Sequence, residues 1–215
     1  MSNATFTTDV LSAALAAAAT SMDGSTEAQE RTFEDSLEEA LTQTGVGVIR
    51  QKSIKLDSWE GRLGSVDLTV EDGDRLIPLE LKWGELTACS WDTVKLATTL
   101  AEGKASSAYL VAGAPKKAWI NGDPGVDLFN PGVRQLEPLL DLYAEWFDFW
   151  RRDVKNYPKA LASAWRVVAD PASGGVEVSI GGVDHEIRAV EIELPVGVEI
   201  LPVAYAPVLA NWKRR

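Results

Sequence analysis

The chain has 215 residues, of which 46% are hydrophobic and 25% are charged, a composition typical of a globular protein with a substantial core. Its one cysteine, Cys89, excludes a framework of internal disulfides, and no apolar run approaches the roughly 20 residues of a membrane span. We therefore expect a cytoplasmic protein. The net charge of -11 argues against tight, non-specific binding of nucleic acid, which usually depends on a basic surface.

The N-terminal part of the chain is predicted to form two helices. Alanine-rich residues 1–22 form the first, which ends before a turn at residues 23–25. A second helix, which Ser25 or Thr26 can cap, extends to about Thr42 and has a buried stripe at helical spacing. The stripe comprises Phe33, Leu37, Ala40 and Leu41. Glu30, Glu34 and Glu38 share another face, for which exposure to solvent is the simplest explanation. Only Glu34 lies near enough to the stripe to turn toward a sheet.

Residues 64–85 are predicted to form a β-hairpin, because apolar residues alternate along two segments that flank an acidic turn at residues 71–74. Three charged residues interrupt the apolar pattern: Asp67, Glu80 and Lys82. Glu80 and Lys82 are two residues apart and therefore share a face of their strand. Pairing about the turn brings Asp67 within reach of Glu80. Two carboxylates and one ammonium on a sheet face can hold a divalent metal ion and a phosphate.

Further elements are predicted on both sides of the hairpin. A strand at residues 46–55 follows the second helix, and a helix at residues 91–102 follows the hairpin. Residues 108–114 are fully apolar, which is typical of a central strand. The predicted order is therefore helix, three strands, helix and strand.

This order, with these charged residues, resembles the PD-(D/E)xK phosphodiesterases, which have the restriction-endonuclease-like fold. The matching residues are Asp67 in the first strand of the hairpin and Glu80-Leu81-Lys82 in the second. Glu34 matches a further glutamate that a preceding helix often contributes. The resemblance covers roughly residues 26–114, and it departs from the family pattern in having no proline before Asp67. It implies an α/β protein with an α-β-β-β-α-β core and a mixed sheet.

The resemblance also implies a nuclease that uses Mg²⁺ or Mn²⁺ to cleave DNA or RNA. Asp67, Glu80 and the main-chain carbonyl of Leu81 would hold the metal ion. Lys82 would orient the attacking water or neutralise developing charge. Glu34 would complete the ligand shell directly or through water.

Basic residues at two places in the chain are candidates for contacts with a nucleic-acid substrate. In similar folds a residue at the position of Lys95 contacts the phosphate backbone, although an exposed, solvated lysine is the simpler explanation. Arg151 and Arg152, with Lys155, form a basic cluster near a predicted helix end that suits a phosphate.

The chain is predicted to divide into an N-terminal helix at residues 1–25, the core at residues 26–132 and a C-terminal part at residues 133–215. Prolines and glycines are concentrated before residue 133, which indicates the boundary. One long helix or two shorter helices are predicted at residues 133–164, with an aromatic stripe that favours core packing or a homodimer. A small antiparallel β meander is predicted at residues 165–207.

Two other interpretations stay open. The same fold could act as a binding module without catalysis, such as an immunity or inhibitor protein whose acidic surface faces a basic nuclease toxin. Alternatively, Lys82 could form a structural salt bridge with Asp67 or Glu80 inside the sheet. A buried ion pair often destabilises a fold relative to apolar residues, which favours a functional site over this last interpretation.

Overall fold

The computed structural model describes residues 5–27, 29–54, 65–120, 124–135, 166–171 and 175–193, and shows an α/β fold. The described helices are α1 Thr8–Met22, α2 Glu30–Gln43, α3 Cys89–Ala101 and α4 Lys116–Ile120. The described strands are β1 Gly47–Ser53, β2 Ser65–Asp72, β3 Arg75–Trp83, β4 Tyr109–Pro115, β5 Gly132–Gln135, β6 Arg166–Pro171, β7 Val176–Ile180 and β8 Val183–Glu193. None of the described helices combines the length and apolar character needed to cross a membrane.

The eight described strands form one mixed sheet in the order β1-β2-β3-β4-β8-β6-β5, with β7 paired to β8. β3 and β4 are parallel neighbours, and the other described pairs are antiparallel. A parallel pair needs a crossover connection, and α3 lies in the segment that connects β3 to β4. The α/β class and the mixed sheet are therefore confirmed.

One face of the sheet packs against α1 and α2. The alternation of apolar residues along β2, β3 and β4 directs one set of side chains to this face. The sheet residues in this core include Leu68, Val70, Leu79, Leu81 and Val111, and the helix residues include Leu11, Leu15, Phe33, Leu37 and Leu41. Glu80 and Lys82 occupy the intervening positions of β3 and so leave the sheet on the opposite face.

The β2–β3 hairpin pairs about a two-residue turn at Gly73 and Asp74. Gly73 has a φ of 64°, a left-handed conformation that glycine adopts without steric penalty. Leu68 is paired with Leu79, so the next residues along the two strands are Asp67 and Glu80. The predicted hairpin and its register are confirmed, although the turn is shorter than the sequence indicated.

Several predicted boundaries differ from the structure. Thr7 caps α1 by accepting a hydrogen bond from the N–H of Val10, and α2 begins at Glu30 rather than near residue 26. The proline- and glycine-rich segment contains α4 and a 3₁₀ turn at Pro124–Phe129. The helix predicted from residue 133 is wrong at its start, because this segment pairs with β6 as strand β5.

The C-terminal strands do not form a separate sheet. β8 pairs with β4 from Tyr109 to Pro115, and β6 and β7 pair with other parts of β8. The predicted meander is instead a continuation of the central sheet. Arg151 and Arg152 lie outside the described residues. So do the rest of the helix predicted through residue 164 and the part of the predicted meander after residue 193.

Candidate functional site

The β2–β3 hairpin brings Asp67 against the backbone of Leu81. Asp67 Oδ2 accepts a hydrogen bond of 2.8 Å from the N–H of Leu81. Nζ of Lys82 donates to the carbonyl oxygen of Leu81 at 3.3 Å. One side chain of β2 and both backbone groups of Leu81 therefore take part in the polar contacts of the hairpin.

α3 adds an aspartate and a lysine to these groups. Asp92 and Lys95 are three residues apart and so lie on the same side of α3, which packs against β3. Lys95 Nζ lies 2.6 Å from Oε1 of Glu80 and 3.4 Å from Oδ1 of Asp92. All three residues are buried, with exposed fractions of 1% for Glu80, 4% for Asp92 and 8% for Lys95.

Lys82 connects this buried group to α2. Its Nζ lies 3.3 Å from Asp92 Oδ2 and 3.3 Å from Glu30 Oε1. The other oxygen of Glu30 accepts a hydrogen bond of 3.4 Å from the N–H of Trp83. Asp92 thus contacts both lysines. We call this set the carboxylate–lysine cluster, and its members are Glu30, Asp67, Glu80, Lys82, Asp92 and Lys95.

Burial and neighbouring charges shift the pKa values of Glu80 and Lys95. The pKa of Glu80 is raised well above its ordinary range by burial and by the charges of Asp92 and Asp67, which Lys95 offsets only in part. Burial alone would lower the pKa of Lys95, but Glu80 and Asp92 outweigh it and raise the pKa.

The acidic face of α2 lies against the sheet. Glu34 is half-buried, and its pKa is raised by burial and by the charge of Asp67. Arg50 of β1 forms ion pairs with Glu38 at 2.8 Å and Asp35 at 2.6 Å. Exposure to solvent, the simplest explanation for this face from the sequence, describes it only in part. The side chains of Glu30 and Glu38 are 41% and 34% exposed, and they also pair with Lys82 and Arg50.

Trp83 borders the cluster at the end of β3. Its ring lies 5.2 Å from that of Phe33 and is stacked on His185 with 5.4 Å between centroids. Gly113 of β4 passes directly against this ring, where a Cβ would lie 2.1 Å from the nearest ring atom. The absence of a side chain at residue 113 is what allows Trp83 to occupy this position.

The structure brings most of the predicted site residues together. Asp67, Glu80, Leu81 and Lys82 meet at the hairpin, and Glu34 is close enough to Asp67 for their charges to interact. Lys95 also belongs to this group, but it is buried and ion-paired instead of exposed to solvent.

Glu30 and Asp92 were not expected at the site from the sequence. The available signal for Glu30 was its position one helical turn before Glu34. For Asp92 it was the three-residue spacing from Lys95, which becomes informative only once α3 is known to cover Glu80.

The cluster has donor groups that suit a hard divalent cation. No three Asp, Glu, His or Cys side chains among the described residues are arranged to hold a metal ion by themselves. Asp67 and Glu80 with the main-chain carbonyl of Leu81 would supply an all-oxygen set, which is the chemistry that Mg²⁺ prefers. The carboxylates of Glu30, Glu34, Asp67, Glu80 and Asp92 also outnumber the ammonium groups of Lys82 and Lys95. This excess of negative charge, together with the donor set, fits the ion.

Comparisons of the chain with protein-family models, with curated proteins and with solved structures found no match. The function is therefore inferred from the residues and geometry of the carboxylate–lysine cluster.

Proposed function

We propose that this protein is a phosphodiesterase of restriction-endonuclease-like fold that uses Mg²⁺ or Mn²⁺ to cleave DNA or RNA. The observation that carries the proposal is the meeting of Asp67, Glu80, the Leu81 carbonyl and Lys82 on one hairpin, with Asp67 hydrogen-bonded to Leu81 at 2.8 Å. The order α2, β1, β2, β3, α3 and β4 around this hairpin supports the same family.

In this proposal Asp67, Glu80 and the carbonyl of Leu81 hold the metal ion. When bound, the ion polarises the phosphate and favours ionisation of the attacking water. The N–H of Leu81 holds the carboxylate of Asp67 in place, which limits the reorganisation needed for binding. Glu34, which is close enough to Asp67 for their charges to interact, would complete the ligand shell directly or through water.

Lys82 supplies the positive charge that faces the phosphate. Burial would favour its neutral form, but the carboxylates of Asp92 and Glu30 raise its pKa, and the ammonium stays protonated at neutral pH. In hydrolysis a water oxygen bonds to phosphorus and gives up a proton, the bond between phosphorus and the departing sugar oxygen breaks, and that oxygen takes up a proton, so that one water is added in total. Lys82 offsets the negative charge that develops on the phosphate oxygens during this exchange.

The proposal is tested by metal titration and by cleavage assays on single- and double-stranded DNA and RNA. We expect isothermal titration to detect Mn²⁺ binding to the natural chain and strong weakening in Asp67→Asn. Glu80→Gln and Lys82→Met should lower the rate of metal-dependent cleavage by about 100-fold or more, as removal of a preorganised charge usually does.

Asp74→Asn is the matched control, because Asp74 is an exposed acid in the turn of the same hairpin. This variant should bind Mn²⁺ and cleave like the natural chain. Unchanged cleavage in both Glu80→Gln and Lys82→Met, with the variants folded, would contradict the assignment. Absence of binding at millimolar Mn²⁺ and Mg²⁺ would contradict the metal site.

A second candidate function is a binding module that retains the fold without cleavage. The ion pair of 2.6 Å between Glu80 and Lys95 favours it, because this contact occupies an oxygen that a metal ion would need. The net charge of -11 suits a basic protein partner, such as a nuclease toxin. A partner complex that survives Glu80→Gln, with no cleavage by the natural chain, would favour this candidate.

A further inference from the structure

Lys95 is an internal cation. Its Nζ lies between Glu80 Oε1, at 2.6 Å, and Asp92 Oδ1, at 3.4 Å, and the side chain is 10% exposed. Its neighbours on α3, Leu96 and Ala97, are fully buried. A lysine in such surroundings is held only if its charge is paired, because transfer of an isolated ammonium into the interior is strongly unfavourable.

The carboxylates around Lys95 are buried and therefore need a positive charge beside them. Asp92 Oδ2 is buried and makes no hydrogen bond among the described residues; its contact is an ion pair with Lys82 at 3.3 Å. Oε1 of Glu80 is also buried, and its described contact is the ion pair with Lys95 at 2.6 Å. Without the ammonium of Lys95, the carboxylates of Glu80 and Asp92 would face each other in the interior with a single lysine nearby.

We propose that the ammonium of Lys95 takes the place of a metal ion at the Glu80–Asp92 carboxylate pair. The divalent ion that Asp67, Glu80 and the Leu81 carbonyl hold then needs no second metal ion beside it, a conclusion that rests on the proposed function. Lys95 therefore limits the number of metal ions in the site. This role replaces the contact with the phosphate backbone of a substrate that the resemblance implied.

The proposal predicts a gain of metal binding when the ammonium is removed. Lys95→Met keeps an unbranched side chain of similar length but leaves the Glu80–Asp92 pair without its cation. A divalent ion is the available replacement, because carboxylate oxygens are its preferred ligands. We expect Lys95→Met to bind about one Mn²⁺ per chain more than the natural protein does.

The test is a count of bound Mn²⁺ by isothermal titration and by equilibrium dialysis with metal analysis. One ion in the natural chain and two in Lys95→Met would support both proposals. No ion in the natural chain and one in Lys95→Met would support the role of Lys95 and contradict the metal-dependent phosphodiesterase. Equal counts in the two proteins would overturn the role of Lys95, whatever the count, and would leave the phosphodiesterase proposal to its own test.

Two further proteins complete the experiment. Lys117→Met removes an exposed lysine and should leave the count unchanged. Glu80→Gln/Lys95→Met removes one carboxylate of the pair together with the ammonium, and it should not gain the additional ion. A gain in this double variant would overturn the proposal, because the new ion would then not depend on Glu80.

Lys95→Met is expected to lose stability without metal, because two buried carboxylates are left with one fewer partner. Circular dichroism melting at increasing Mn²⁺ then provides a second readout. We expect a larger rise in melting temperature for Lys95→Met than for the natural chain. A variant that stays unfolded at millimolar Mn²⁺, while Glu80→Gln/Lys95→Met folds, would overturn the proposal.

Discussion

Lys82 illustrates how single residues of the site depend on their neighbours. Burial alone would lower its pKa, but Asp92, Glu30, Asp67 and Glu80 outweigh burial and raise the pKa above its ordinary value of 10.5. The folded chain therefore holds this proton to higher pH than the unfolded chain does. The resulting stabilisation is complete below pH 10.5 and is lost as the pH rises above it, toward the folded-state pKa.

Lys82→Met should weaken the alkaline dependence of stability. We expect the free energy of unfolding of the natural chain to fall as the pH rises above 10.5, and to fall less steeply in the variant. Urea unfolding at a series of pH values measures both slopes. Tyr109, whose pKa is raised by burial and by Glu191, destabilises both proteins in the same range, and so the difference between the slopes isolates Lys82.

Lys117→Met is the control for this measurement, because it removes one lysine charge from an exposed position. Its slope above pH 10.5 should match that of the natural chain. Equal slopes in the natural chain and Lys82→Met would mean that the contacts of Lys82 with Asp92 and Glu30 do not stabilise the fold.

At the scale of elements, the contact of β3 with β4 shapes the edge of the site. The ring of Trp83 on β3 lies across Gly113 of β4 and is enclosed by Phe33 and His185. The backbone N–H of the same tryptophan donates to Glu30, which in turn pairs with Lys82. Gly113 of β4 is thus connected to Glu30 of α2 through Trp83, which contacts both residues.

Gly113→Ala should destabilise the protein by about 1–3 kcal/mol, as overpacking of a close contact does. The added Cβ would lie 2.1 Å from the ring of Trp83, so that the ring must move away from His185. Urea unfolding measures the change. In a Trp83→Leu background the same substitution should be less harmful, because the two residues are in direct contact.

Gly47→Ala provides the comparison for Gly113→Ala. The glycine lies in β1, and a Cβ there would meet Glu71 at an ordinary distance of 3.5 Å. Its effect should stay within about 0.5 kcal/mol. Similar effects at the two glycines, or full additivity of Gly113→Ala with Trp83→Leu, would contradict the packing explanation.

At the scale of the whole molecule, the C-terminal strands complete the sheet that carries the site. β8 covers the full length of β4 and also pairs with β6 and β7. Ile187 and Ala189 of β8 belong to the same apolar core as the hairpin and α2. The stability of the site therefore depends on residues more than 70 positions away in the chain.

A chain truncated after residue 132 should fail to unfold cooperatively, because β4 would lose β8 and expose a long apolar edge. Urea unfolding, monitored by circular dichroism, measures the cooperativity, and size-exclusion chromatography shows whether the truncated chain is monomeric. A cooperative transition of a monomeric truncated chain, with the same Mn²⁺ affinity as the full chain, would show that the first part of the sheet folds independently.

Local patterns predicted the elements that carry the site. The alternation of apolar residues and the turn at Gly73 predicted the hairpin, and the two-residue spacing of Glu80 and Lys82 placed them on one face. The positions of Asp92 and Glu30 could not be predicted in this way. Each lies on a helix whose rotation and placement over the sheet depend on packing of several elements at once.

The sequence by itself determined the α/β class, the order from α2 to β4 and the charged residues of the hairpin, because these follow from periodicity and from contacts between nearby residues. Only the tertiary structure decided that Lys95 is buried against Glu80, that Glu30 binds Lys82, and that β8 extends the sheet. These contacts join residues that are distant in sequence. Their charges are tolerated in the interior only because partners from other elements surround them.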